Sequence, residues 1–135
     1  TRTNAEYLHG VAQINAVKGL ILLPDNWLCP LGICFKHGLY VGINGYTNYA
    51  YHQTFNLEQW SEMEQAGAVF LPAADTRYSG VQVTSTEFGY YWTSSKKYSY
   101  QSYCLYFHAE ELKISFYQDN HIGSSVRLVK DVVTE

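Results

Sequence analysis

Helical periodicity is confined to one short stretch of this sequence, and that restriction limits its possible folds more than any other feature. Asn56 suits an N-cap position, and Gln59 three residues later completes a capping-box pattern. Apolar residues follow at helical spacing, and Gly67 is a typical helix terminator. The pattern predicts one helix over residues 57–66.

Strand-type alternation dominates the part of the chain that follows. Residues 103–108 alternate between an apolar face and a mixed face, and Leu112, Ile114 and Phe116 repeat that alternation. Two such runs separated by a short polar segment are typical of an antiparallel hairpin. We therefore predict a hairpin that turns near residues 109–111, with all three of these later side chains on its apolar face.

Other short runs predict further strands. They cover residues 20–23, 69–71, 90–93 and 125–129, with short strands and turns between 29 and 53. A polar loop is expected over residues 75–86. Residues 5–18 have weak periodicity and are expected to form either a short helix or an irregular lead-in. One clear helix followed by antiparallel strands indicates an α+β fold.

The composition fits a single globular domain over residues 1–135. Hydrophobic residues make up 47% of the chain and charged residues 16%, with a net charge of -3. No basic stripe is visible, which argues against a nucleic-acid partner. No apolar run approaches the roughly 20 residues that a membrane-spanning helix needs, so direct membrane insertion is not expected.

Tyrosine is concentrated near the end of the chain. The sequence has 13 Tyr against six Phe, and seven of the 13 lie between Tyr90 and Tyr117. A Tyr side chain offers a large rigid contact area with one polar tip, and binding surfaces favour it for that reason. This bias indicates a ligand-binding surface. The alternative, in which these tyrosines cover one face of a sheet and bind nothing, stays open.

The residues that most often perform chemistry form no convincing pattern. Cys29 and Cys34 lie in a Pro- and Gly-containing loop, where they either close a small disulfide ring or remain buried thiols. Cys104, in an alternating run, is expected to be a small core or surface residue. The five His are scattered, no zinc- or calcium-ligand spacing is present, and no Ser/His/acid order is persuasive. We expect no catalytic residue, no metal and no cofactor, and the protein is predicted not to be an enzyme.

Four ordered motifs resemble a large bacterial family of surface domains. They read LPDNW at 23–27, EQWSEMEQAGAVFLPAA at 58–74, GYYWTSS at 89–95 and GSSVRLV at 123–129. Together they are similar to the major paralogous domain of fibre-degrading gut bacteria. The resemblance implies a C-type-lectin-like fold, related to the formylglycine-generating enzyme, with residues 1–19 as a lead-in segment. The Cys pair of that enzyme has no counterpart here, because only Cys104 follows residue 34.

The end of the chain also resembles the variable proteins of diversity-generating retroelements. In those proteins an error-prone reverse transcriptase rewrites adenines, and the rewritten positions display side chains on one face of a fixed scaffold. The resemblance implies a ligand-display region over residues 90–129. The expected ligand-binding residues are Lys97, Tyr98, Ser99, Tyr100, Gln101, Tyr103, Tyr106, His108, Tyr117, Asp119, Asn120 and His121.

These observations predict a non-enzymatic binding domain of a bacterial or phage surface protein, such as a retroelement-diversified receptor or adhesin. It is expected outside the cell, at the cell surface or on a phage particle. Its expected partner is a protein or glycan on another surface, besides its parent chain or appendage subunits. One alternative is a fixed carbohydrate-binding module with a planar strip of aromatic rings. Another is a structural tip or assembly domain with a large apolar contact surface.

Overall fold

The computed structural model describes residues 8–37, 53–74, 76–78, 81–82, 87–108 and 111–128. Within these ranges the chain forms one helix and nine strands. In chain order they are β1 (His9–Ile14), β2 (Val17–Leu22), β3 (Thr54–Phe55), α1 (Leu57–Gln65), β4 (Val69–Pro72), β5 (Arg77–Tyr78), β6 (Val81–Gln82), β7 (Gly89–Tyr98), β8 (Gln101–His108) and β9 (Glu111–Asp119). The predicted α+β class with one helix is confirmed. That helix has nine residues, and no helix in the described ranges is long and apolar enough to cross a membrane.

The first sheet has the strand order β3-β1-β2-β4, and β1 pairs antiparallel with β2 through a tight turn. Asn15 and Ala16 form that turn, both with positive φ, which suits a two-residue hairpin between right-twisted strands. Both alternatives for residues 5–18, a short helix or an irregular lead-in, are therefore wrong from residue 9 onward, and residues 1–7 lie outside the described part. Val11 packs on one face and Ala12 on the other. Because β1 is buried on both faces, its sequence lacks a clear alternation.

The predicted helix is confirmed as α1, one residue shorter than expected. The Asn56 side chain accepts a hydrogen bond from the Gln59 backbone at 2.8 Å, and the Gln59 side chain accepts one from the Asn56 backbone at 2.9 Å. The helix ends at the C-cap Ala66, before Gly67 with φ of 101°. Met63 is its fully buried residue and packs with the first sheet. The capping box thus begins α1 where its pattern predicts.

The second large sheet has the order β7-β8-β9, all antiparallel. The predicted hairpin is confirmed, although residues 109–110 of its turn lie outside the described ranges. Cys104 pairs with Phe116 but Tyr106 pairs with Lys113, so β9 contains one extra residue, a bulge.

The bulge makes the predicted apolar face of β9 wrong. The extra residue shifts the alternation of side chains by one position. Leu112 therefore pairs with Phe107, while Phe116 lies on the opposite face of the sheet with Tyr106. Ile114, one of the two residues that face Leu105 across the bulge, is 76% exposed.

The other predicted segments meet mixed outcomes. The strands predicted over 69–71 and 90–93 are confirmed within β4 and β7, and the one predicted over 20–23 is confirmed in β2 except for its last residue, since β2 ends at Leu22. The loop predicted over 75–86 contains the small β5–β6 hairpin. Residues 29–37 form turns without strands, and residues 38–52 lie outside the described ranges.

The strand predicted over 125–129 is wrong for residues 126–128. Ser125 makes only an isolated bridge to Tyr91, because β7 leaves regular pairing after Trp92 and offers no straight edge. Residue 129 lies outside the described ranges.

Two apolar clusters hold these layers together. One lies between α1 and the first sheet and includes Ile21, Phe55 and Met63. The other joins the two large sheets, where Leu20 packs with Phe107. A Cβ on Gly89 would lie 2.1 Å from the Phe107 ring, so only glycine allows this close approach. The core therefore fixes β7 and β8 against the first sheet and leaves the far ends of these strands exposed.

Candidate ligand-binding site

Four of the predicted ligand-binding residues come together where β7 turns into β8. We call Lys97, Tyr98, Tyr100 and Tyr117 the tyrosine patch. The three Tyr side chains are 54%, 63% and 45% exposed, respectively. The Tyr98 and Tyr100 rings stack with centroids 5.9 Å apart. The patch therefore offers a broad aromatic surface to solvent.

Lys97 contacts two aromatic rings of the patch. The Lys97 Nζ atom lies 3.1 Å from the Tyr117 ring centroid and 5.5 Å from the Tyr98 ring centroid. A cation over an aromatic face is attracted by the negative quadrupole of the ring. Tyr117 belongs to β9 and Tyr98 to β7, so the ammonium bridges rings from the two outer strands of the sheet. This contact preorganises the aromatic surface.

Hydrogen bonds among residues near the turn between β7 and β8 support the patch. The Gln101 side chain donates to Asp119 Oδ1 at 2.9 Å. The Ser102 hydroxyl donates to Asn120 Oδ1 at 2.7 Å, and Asn120 Nδ2 donates to the Ser99 carbonyl oxygen at 3.2 Å. The Asn120 backbone N–H donates to the carbonyl oxygen of Tyr100 at 2.9 Å. Asn120 thereby fixes the turn between β7 and β8.

A cleft of about 370 Å³ adjoins the patch. Tyr117, Gln101 and Asp119 line it and connect it with the patch and its supporting hydrogen bonds. Its other lining residues are Thr76, Tyr90, Phe116, Gln118 and Ile122. Gln118 is only 8% exposed, and its Oε1 atom accepts a hydrogen bond from the Ser124 hydroxyl at 3.0 Å. The cleft thus combines aromatic rings with amide and carboxylate groups.

The remaining predicted residues divide between this region and another part of the sheet. Tyr103 is half-buried opposite Tyr117, and His121 is exposed just after β9. Tyr106 and His108 lie toward the other end of β8, in an aromatic cluster with Phe88, Tyr90 and Phe116. That cluster is half-buried, and the Tyr90 and Phe116 rings reach from it to the cleft.

Sequence reasoning missed five lining residues: Thr76, Tyr90, Phe116, Gln118 and Ile122. Phe116 was assigned to an apolar face because its alternation with Leu112 hid the bulge. Gln118 is a polar residue on an edge strand, and nothing in its sequence position indicated its burial or its hydrogen bond with the Ser124 hydroxyl. Tyr90 belonged to the tyrosine-rich stretch, so composition was the one signal that pointed to it.

The cysteines are placed differently from the expectation of buried thiols. Cys29 and Cys34 are exposed free thiols, so both alternatives, a small disulfide ring and buried thiols, are wrong. The Cys29 thiol donates to the Ile33 carbonyl oxygen at 3.2 Å. Partial burial raises the pKa of Cys29. Cys104 is fully buried, and burial raises its pKa to about 11. Within the described ranges, no three His, Cys, Asp or Glu side chains are grouped so that they could hold a metal ion.

A second concavity of about 380 Å³ lies between the two large sheets. Its walls are mostly apolar, with Leu22, Val69 and Leu105 among them, and Arg127 lies at its border. Val126 and Leu128 are exposed on either side of this arginine in the chain. We call this concavity the apolar groove.

Comparison of the chain with protein-family models, curated proteins and solved structures finds no match.

Proposed function

We propose that this chain is a C-type-lectin-like binding domain that takes up its ligand non-covalently at the tyrosine patch. The observation that carries the proposal is the convergence of three exposed Tyr side chains and Lys97 at one end of a sheet. Tyr side chains lose little rotamer freedom on binding, and Lys97 already restrains two of them. Binding at a preformed surface has a low entropic cost, and the proposed function is recognition without a chemical step.

The proposal includes a setting for the domain. The domain belongs to a bacterial or phage surface protein, and its ligand is a protein or glycan on another surface. The motifs that resemble the major paralogous domain support this setting, together with the tyrosine-rich stretch over residues 90–117. The Asn120 side chain and its two hydrogen-bond partners, Ser99 and Ser102, support the turn, while the patch side chains are exposed. Substitution of patch residues would therefore change the ligand and spare the scaffold.

A binding screen tests the patch. The chain is applied to arrays of purified bacterial surface proteins and glycans, together with its Tyr98→Ala and Tyr117→Ala variants. We expect at least one target whose affinity falls about tenfold or more in each variant, as for an aromatic anchor at the centre of an interface. Ile114→Ala is the matched control, because Ile114 is exposed on the same sheet but lies outside the patch. Equal losses in the control and the patch variants would contradict the proposal.

Diversification by a retroelement is tested by deep sequencing of the gene in a cultured population. We expect substitutions at adenines in the codons of the patch residues Tyr98, Tyr100 and Tyr117, with the Trp92 codon unchanged. A uniform sequence without a matching template repeat beside the gene would mean a receptor with one fixed ligand.

The apolar groove favours a second candidate function, that of an assembly domain. Val126 and Leu128, the chain neighbours of the lining residue Arg127, expose large apolar side chains, and exposed apolar surfaces frequently mark protein–protein contacts. In that case, replacing Leu128 with Asp would abolish association with the parent appendage subunit and leave patch-dependent binding unchanged. The measurement is co-purification of that subunit with the wild-type chain and with the variant.

A further inference from the structure

We infer that the cleft beside the tyrosine patch is a subsite for a neutral sugar residue of a glycan. The inference rests on the proposed function, since it assigns a ligand class to the region next to the patch. The cleft measures about 370 Å³, at the lower end of the range of roughly 300–1,000 Å³ that small-ligand sites occupy. It is therefore large enough for one or two sugar rings and too small for a folded partner.

The walls of the cleft supply the apolar half of sugar recognition. Tyr90 and Phe116 line it, and their ring centroids lie 6.0 Å apart at an interplanar angle of 54°. Aromatic faces carry a negative quadrupole, and the C–H face of a pyranose ring carries partial positive charge. Two inclined rings thus form a corner against which one face of a sugar would pack.

Three polar side chains supply the other half. Gln101 donates to Asp119 Oδ1, which leaves the second carboxylate oxygen and the Gln101 amide oxygen as acceptors for sugar hydroxyls. Gln118 offers a donor: its Oε1 atom is held by Ser124, while its Nε2 atom has no hydrogen-bond partner among the described residues. This side chain is more than nine-tenths buried and lines the cleft.

Among the described residues, the Gln118 Nε2 atom is not one of the fully buried polar atoms without a partner, so it is open to the cleft and can donate to a ligand hydroxyl. This donor favours a ligand that carries hydroxyl groups over an apolar one. A carboxylate and two amides in one cleft offer both acceptors and donors, as sugar hydroxyls require.

Charge selects between neutral and acidic sugars. Asp119 is the one carboxylate among the lining residues, and it would repel the carboxylate of a sialic or uronic acid. Calcium-mediated sugar binding needs six to eight oxygen ligands, which one carboxylate and its neighbouring amides do not supply. We therefore expect neutral hexoses to bind directly and in the presence of EDTA.

The test uses the whole chain and a panel of neutral oligosaccharides of two to four hexoses, each paired with a sialylated or uronic-acid counterpart. Binding is measured by saturation-transfer NMR and titration calorimetry, with and without EDTA. We expect a neutral member to bind, its acidic counterpart to bind at least tenfold more weakly, and EDTA to have no effect. Saturation transfer should come from aromatic protons of Tyr90 and Phe116.

Variants then assign the site. Asp119→Ala should weaken sugar binding about tenfold or more, and Asp119→Asn should restore part of it, since the amide keeps hydrogen-bonding capacity without the charge. Glu62→Ala is the matched control, because it also removes one exposed carboxylate, on α1 and far along the chain from the cleft. Thermal melts of all three variants exclude unfolding as the cause of a loss.

The outcomes separate this inference from the proposed function. Absence of binding across the neutral panel, with a protein target still lost in Tyr98→Ala and Tyr117→Ala, overturns the sugar subsite and leaves the patch as the binding site. Sugar binding that Asp119→Ala leaves unchanged also overturns it, because the sugar then binds elsewhere. Loss of sugar binding in Asp119→Ala with retention in Glu62→Ala supports it.

Discussion

At the scale of single residues, burial separates side chains that the sequence presents as equivalent. Tyr90 and Tyr91 are neighbours, yet Tyr91 is buried between the sheets while Tyr90 lines the cleft. Period-two alternation predicts that they face opposite sides, but it does not say which side is the core. Asn56 and Gln59 form the opposite case, because a capping box needs only residues three apart and is readable directly.

Cys104 allows a prediction about the pH dependence of stability. Burial raises its pKa to about 11, so the folded thiol keeps its proton at pH values where the unfolded thiol, with its ordinary pKa of 9.0, loses it. The contribution of this burial is complete below about pH 9 and is lost as the pH rises to about 11. The measurement is urea unfolding of the wild type and Cys104→Ala, under reducing conditions, across that interval. The difference in unfolding free energy between them should fall with pH; a constant difference would contradict the burial.

Gly89 allows a prediction about steric fit in the core. Its added Cβ would lie 2.1 Å from the Phe107 ring, so Gly89→Ala must displace that buried ring. We expect a loss of about 1–3 kcal/mol in unfolding free energy, as for overpacked cores. The double variant Gly89→Ala with Phe107→Leu should lose less than the sum of the two single changes. Additive losses in thermal or urea unfolding would show that the two sites are independent.

At the scale of secondary-structure elements, α1 was predictable and β9 was not. The capping box marks the start of α1 and Gly67 follows its end. Both signals depend on residues close together in the chain, so they can be read from the sequence. The bulge in β9 depends on pairing with β8, which joins separate segments of the chain. It places Leu112 and Phe116 on opposite faces of the sheet. The pairing of β1 with β2 was hidden for a related reason, because both faces of β1 are buried.

The capping box of α1 gives a prediction for that element. Asn56→Ala removes the side-chain acceptor for the Gln59 backbone N–H and should lower the unfolding free energy by about 1 kcal/mol. Ser61→Ala, at an exposed position within the helix, is the control and should change it by less than about 0.5 kcal/mol. Urea unfolding followed by circular dichroism measures both. Similar values for the two variants would mean that the cap adds nothing to the stability of the whole protein.

At the scale of the whole molecule, the two large sheets are joined by one apolar cluster and by a polar contact within it. The Tyr91 hydroxyl donates to the Pro72 carbonyl oxygen at 2.7 Å, which connects β7 of one sheet with β4 of the other. Composition and strand patterns predicted the α+β class. They did not predict this contact, because the sequence does not show which strands face each other across the core.

Tyr91→Phe gives a prediction for the joining of the sheets. The ring that packs with Phe107 is kept, but the Pro72 carbonyl oxygen loses its side-chain donor and keeps only the Ala74 backbone N–H. We expect a loss of about 1 kcal/mol in unfolding free energy with an unchanged tyrosine patch. Urea unfolding measures the first, and binding to any target found for the wild type measures the second. A change in affinity without a change in stability would contradict the separation of core and patch.

The bulge in β9 has a consequence for behaviour in concentrated solution. Among the described strands, β9 lies at an edge of its sheet, and an edge strand presents backbone groups that template pairing with a second chain. A bulge bends and twists such an edge, and Lys113 and Ser115 add exposed polar side chains beside Ile114. The bulge in β9, which the sequence pattern did not predict, thereby protects this aromatic-rich chain against edge-to-edge aggregation.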